Sequence, residues 1–224
     1  MIARQHKVTR KEITVIGIVL AGAFLAILNQ TVLSPALPKL MDAFSISAGT
    51  AQWVTSIYML VNGIMVPITG FLIDRFSTRK LFFASMAAFI VGTALCAAAP
   101  SFELLIVGRV LQAAGAGVQL PLVGVVPMLI FPPEKRGTAM GMAGIVMSCA
   151  PAAGPVLAGG IIDAWGWRMM FWSMIPLAVL VLAVSFFKLT NVGELKRPHL
   201  DVLSIVLSFV LTLVIGFEDL PEEE

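Results

Sequence analysis

The sequence predicts an all-α integral membrane protein, a six-helix bundle built from two inverted three-helix units. Three observations predict it. Of 224 residues, 58% are hydrophobic and only 12% are charged, against roughly 25% charged in water-soluble domains. The apolar residues gather in runs long enough to cross the roughly 30 Å hydrocarbon layer as helices, which takes about 18 or more residues. A single shift of 89 residues lays the second half of these runs on the first.

The runs fall near 13–36, 51–73, 81–99, 104–130, 138–162 and 169–187, with a shorter seventh at 202–217. Basic residues precede the first run, as they do in a secretory signal. Its length and the polar patch inside it read as a retained span. Short connectors predict one compact bundle. The expected organisation is a cytoplasmic basic N-terminus (1–12), a first three-helix repeat (13–99) and a second (100–190). A cytoplasmic linker (191–201), the seventh hydrophobic segment (202–217) and an acidic tail (218–224) follow.

Orientation follows from Lys and Arg. Arg4, Lys7, Arg10 and Lys11 precede the first span, and Arg75, Arg79 and Lys80 follow the second. Lys135 and Arg136 follow the fourth, and Lys188, Lys196 and Arg197 follow the sixth. The alternate connectors hold only Lys39 and Arg168. The positive-inside rule then places the N-terminus in the cytoplasm of a multi-pass protein of the cell membrane.

The 89-residue shift pairs Gln30 with Gln119, Leu33 with Leu122 and Pro38 with Pro127. It also pairs Gly70 with Gly159, Asp74 with Asp163, Arg79 with Arg168 and Phe82 with Phe171. Three spans separate Asp74 from Asp163, so the two lie on opposite membrane faces. Inverted repeats of this kind are characteristic of secondary transporters, with the substrate site near the midplane between repeats.

Other chemistries find no support. Cys96 and Cys149 sit inside apolar runs and read as small buried hydrophobes. His6 and His199 lie in polar flanks, and no HExxH, CxxC pair, Walker loop or G-x-S-x-G occurs. The expectation is therefore no enzyme activity, no metal and no cofactor, with energy drawn from an ion gradient. The basic string "RQHKVTRK" (4–11) beside the first span reads as a topology signal rather than a nucleic-acid contact.

Four segments carry a family resemblance: "LNQTVLSPALP" (28–38), "GFLIDRFSTRK" (70–80), "GRVLQAAGAG" (108–117) and "APAAGPVLAGG" (150–160), with "WGWRMMFWSMIP" (165–176) as a further string. Together they resemble the N-terminal half of a major facilitator superfamily transporter. More narrowly, they resemble the 14-span drug:proton antiporters of the lincomycin-resistance type. The resemblance implies proton-coupled efflux of drugs or other amphipathic small molecules across the bacterial plasma membrane. It implies a second six-span half, or a second copy, as partner. A non-transporting membrane bundle and an uptake permease of the same fold are the alternatives.

Each segment has its own physics. In the loop, Gly70 allows close helix approach. Asp74 is placed at the start of a tight turn, where it accepts backbone hydrogen bonds or pairs with Arg75, Arg79 or Lys80. This cluster is either a positive-inside anchor or, as the resemblance implies, a latch between transporter halves. Ser77 and Thr78 stand where that family usually has Gly and Arg. Arg109 begins a polar stripe with Gln112, Ala116 and Gln119 at helical spacing. It either faces a polar interior or snorkels outward from near the span's end. The resemblance links Arg109, with Asp74, to proton coupling.

Span one offers Asn29, Gln30, Thr31 and Ser34 with Pro35 and Pro38, which suggests a kinked helix beside a wet cavity or interhelical hydrogen bonding. Asn29 stands where many members of the family have Asp, and Asn does not titrate. Span two adds Thr55, Tyr58, Asn62, Met65 and Thr69 on one face, lining a cavity or packing on neighbours. The candidate substrate cavity is Asn29, Gln30, Tyr58, Asn62, Gln112 and Gln119. Span five carries many Gly residues and Pro151 and Pro155, read as tight packing. Gly154, Pro155 and Gly159 fall on the antiporter motif, while Ala150 and Ala158 occupy positions where the motif has Gly.

Overall fold

The computed structural model describes residues 10–191. Residues 1–9 and 192–224 lie outside this range, and with them the seventh segment 202–217, most of the linker and the acidic tail. Helix α1 (Arg10–Thr31) leads through a 3-10 turn (Ser34–Ala36) into the short α2 (Leu37–Phe44). Helices α3 (Ala48–Arg75), α4 (Thr78–Ala98), α5 (Phe102–Ile130), α6 (Pro133–Trp165) and α7 (Trp167–Lys188) follow. Among the described residues, six helical segments are long and apolar enough to cross a membrane, with α1 and α2 together forming the first.

The first helix stops earlier than the apolar run 13–36 suggests. Pro35 has no N–H to give to the carbonyl of Thr31, and its ring crowds that turn. The chain closes the turn with a bond from the Ala36 N–H to the Leu33 carbonyl, 2.9 Å, and restarts as α2 with Pro38 in the first turn. The prolines therefore end the helix instead of kinking it. Serines start three of the later helices. Ser47, Ser77 and Ser101 each accept from the backbone N–H three residues on, Thr50, Lys80 and Leu104.

The packing repeats under exchange of the two three-helix units. Helix α5 packs on α3 and α4, while α1, its counterpart, packs on α6 and α7; α1 meets α5, and α4 meets α7. Helix α5 is the central pillar, because its glycines remove the bulk that would hold neighbours away. A Cβ on Gly92 of α4 would lie 2.5 Å from the Gln112 N and 2.7 Å from the Gly108 carbonyl oxygen. One on Gly117 would lie 2.5 Å from Met65 Cβ of α3, and one on Gly115 would strike the Ser85 carbonyl and Phe89 of α4.

Helix α6 packs differently from its sequence reading. Gly141, Gly144, Gly159 and Gly160 have open space where a side chain would stand. Close packing there comes from a stripe of Ala139, Ala143, Ala150, Gly154, Ala158 and Ile162, all buried. Only Gly154 among these glycines is held against a neighbour: a Cβ would strike the Thr31 side chain of α1. Two apolar clusters complete the core, one around Phe82, Met86 and Phe89, the other around Leu33, Leu40 and Phe171.

Candidate functional site

Arg109 is fully buried. Of the two sequence alternatives, the interior one is realised. The side chain turns inward from the eighth residue of α5, about 10 Å along the helix from its start at 1.5 Å per residue. Its Nε donates to the Val54 carbonyl of α3 at 3.1 Å, and Nη1 donates to Gln112 Oε1 at 2.9 Å. Its guanidinium carbon lies 4.1 Å from the ring centroid of Tyr58, close enough for a cation–π contact. Nη2 has no partner.

The surroundings are polar but not acidic. Gln112 Nε2 donates to Thr93 Oγ1 of α4 at 2.8 Å, and Tyr58 Oη donates to the Ala26 carbonyl of α1 at 2.9 Å. Both side-chain polar atoms of Asn29, and Oδ1 of Asn62, are buried with no well-formed hydrogen bond among the described residues, although both side chains approach the Tyr58 hydroxyl. The acids among the described residues sit near helix ends: Glu12, Asp42, Asp74, Glu103, Glu134 and Asp163. Arg109 is thus an interior cation that π-stacking and neutral acceptors compensate only in part, a costly arrangement in a membrane interior.

The expected cavity residues do not all gather. Asn29 on α1 and Tyr58 and Asn62 on α3 are buried, and Tyr58 is stacked on Arg109. Gln112 is tied to α4, and Gln119 Nε2 turns to Met86 Sδ of α4 at 3.2 Å. Gln30 is half-exposed. An apolar cavity of about 510 Å³ lies elsewhere, between α1, α6 and α7, with Phe24, Val146 and Leu177 among its walls.

The loop cluster also differs from its sequence reading. Asp74 lies in the last turn of α3, exposed, and forms no hydrogen bond or ion pair with the described residues. Ser77 makes the turn: its side chain caps α4, so no glycine is needed there. Gly70 faces open space rather than a neighbouring helix. Arg79 donates from Nη2 to the Phe186 carbonyl at the end of α7, 2.9 Å. Sequence reading missed this bond, because a carbonyl acceptor carries no residue signature. The serine caps it also missed were visible as Ser residues at the helix starts.

The Major Facilitator Superfamily profile matches residues 19–216. The chain belongs to the major facilitator superfamily. It is 48% identical over 194 residues to the uncharacterized MFS-type transporter YcnB of Bacillus subtilis, covering 87% of this chain and 41% of that protein. It is 42% identical over 209 residues to the lincomycin resistance protein LmrB of the same organism, covering 92% of this chain and 43% of the relative. The chain therefore spans about two fifths of the length of these relatives. The crystal structure of the human organic anion transporter MFSD10 shares the fold, with a TM-score of 0.70 at 19% identity over 95% of this chain and 58% of that one. As a superfamily member, this chain is a multi-pass membrane protein of a transporter family and not an enzyme.

Proposed function

We propose that this chain forms the N-terminal six-helix half of a proton-coupled exporter of drugs and other amphipathic small molecules. Its place is the bacterial plasma membrane, with the N-terminus cytoplasmic. The observation that carries the reading is Arg109, buried against Tyr58 with an Nη2 that has no partner among the described residues, in a half that also buries Asn29 and Asn62. Intramembrane charges of this kind mark substrate and proton pathways. The similarity to a protein named for lincomycin resistance supports a drug as cargo. A second six-span half, or a second copy, completes the cavity. Asn29, Gln30, Tyr58 and Asn62 offer hydrogen bonds to the substrate, with Gln112 and Gln119 behind them, and Arg109 and Asp74 serve proton coupling. Gly154, Pro155 and Gly159 serve the antiporter seal, for which the tight contact of Gly154 on Thr31 gives support.

With no carboxylate beside Arg109, this half favours neutral, weakly basic or amphipathic compounds over permanent dications. Dye efflux from everted vesicles, with both halves present, tests this. Wild type should export neutral drugs and fail on dications, and Asn29→Asp should gain dications, because a carboxylate in a low-dielectric cavity attracts them. Equal export of both classes by wild type would sink the charge argument. No proton-dependent export of any class would sink the function.

A further inference from the structure

We propose that the groove between the start of α4 and the end of α7 seats the headgroup of an anionic phospholipid. The groove is a cavity of about 470 Å³ lined by Ser77, Arg79, Lys80, Phe83, Phe186 and Asn191, within the size range of small-ligand sites.

The groove is built in two tiers. Below, Phe83 and Phe186 meet edge to face, 6.0 Å between centroids at 82°. Phe186 and Phe187 are largely exposed at the end of a membrane-length helix, so this wall faces lipid. Above, Arg79 is pinned: its Nη2 donates to the Phe186 carbonyl, and its guanidinium carbon lies 5.7 Å from both ring centroids. Lys80, beside it, is exposed, and its ammonium forms no hydrogen bond or ion pair with the described residues. The positive end of α4 opens at the same place. A phosphate at this level meets the ammonium and the remaining guanidinium donors, while the acyl chains lie against the phenyl rings. Among the described residues, no acid lines the groove.

The inverted repeat supplies an internal comparison. Shifted by 89 residues, Ser77 becomes Gly166, Arg79 becomes Arg168, Lys80 becomes Met169 and Asn191 becomes Phe102. The repeat-related position keeps the arginine and its bond to a helix-end carbonyl, here Ala99 at 2.9 Å. It loses the second cation and two polar groups. Joining α4 to α7 therefore needs only the arginine. Lys80, Ser77 and Asn191 are additions at one end, the end that carries most of the basic residues and that the positive-inside rule turns to the anionic cytoplasmic leaflet.

Native mass spectrometry of the full 224-residue chain, released from micelles holding equal phosphatidylglycerol and phosphatidylcholine, tests this. Wild type should retain phosphatidylglycerol in preference. Lys80→Met, which installs the repeat-related residue, should lower that retention about fivefold, the factor one basic residue contributes at an anionic surface. Its helicity and thermal midpoint should stay unchanged, because the Lys80 side chain holds nothing in the fold. Lys135→Ala, which removes a basic residue from the start of α6 at the same end, should leave retention as in wild type. Equal retention of both lipids by wild type, unchanged retention in Lys80→Met, or an equal loss in Lys135→Ala would each overturn the site.

Discussion

Arg79 and Arg168, 89 positions apart, make the same bond at opposite ends of the molecule. Arg79, second residue of α4, donates to the Phe186 carbonyl in the last turn of α7; Arg168, second residue of α7, donates to the Ala99 carbonyl closing α4. Two antiparallel helices thus cap each other's C-termini. The last carbonyls of a helix lack intrahelical partners, and a cation there also meets the negative end of the dipole. The sequence repeat is a repeat of interactions.

This exchange predicts a symmetrical loss. Arg79→Met and Arg168→Met should each lower stability by about 1 kcal/mol, the net worth of a hydrogen bond with a charged donor partly open to solvent. The two losses should add, because the sites lie at opposite ends of the helix pair. Thermal unfolding of the purified chain in one detergent measures them. An unmoved midpoint in both variants would show that the bonds hold nothing.

Glycine positions should sort by contact, not by motif. Gly92→Leu drives a side chain into the backbone of Gln112 and should cost at least about 2 kcal/mol or prevent folding. Gly144→Ala meets open space, and its effect should stay within about 1 kcal/mol, on the stabilising side, since Ala is the better helix former. Yield of monodisperse protein and the thermal midpoint report both. Comparable damage from the two would contradict the packing described.

Orientation is open to direct labelling. Single cysteines at Ser77 and Ala164, in a chain with Cys96 and Cys149 replaced, should react with an impermeant thiol reagent from opposite sides of the membrane, Ser77 from the cytoplasm. Cys96 is buried between α4 and α5 and is best replaced by Ala or Ser. Labelling of both positions from one side would refute the inverted arrangement.

The exposed Asp74 makes a sharper claim. It stabilises no partner among the described residues, so Asp74→Asn should leave membrane insertion and thermal stability intact. In a transporter holding both halves, the same change should abolish efflux. Resistance at wild-type level would reduce Asp74 to a topology residue.

The six spans of the described residues and the repeat between the two three-helix units were legible along the chain, because crossing a bilayer depends on apolar length and a repeat on residue identity, both properties of sequence alone. Ser77, Gly70 and Asp74 were visible as a cluster, but their roles were not. Which residue caps a turn, and which glycine is touched, depends on the neighbour that arrives. The same holds for Arg109. Eight residues into a helix, its chain could reach water or the interior, and only the approach of Tyr58, Val54 and Gln112 turned it inward. The acceptors of Arg79 and Arg168 are backbone carbonyls, common to every residue, so tertiary packing alone could choose Phe186 and Ala99.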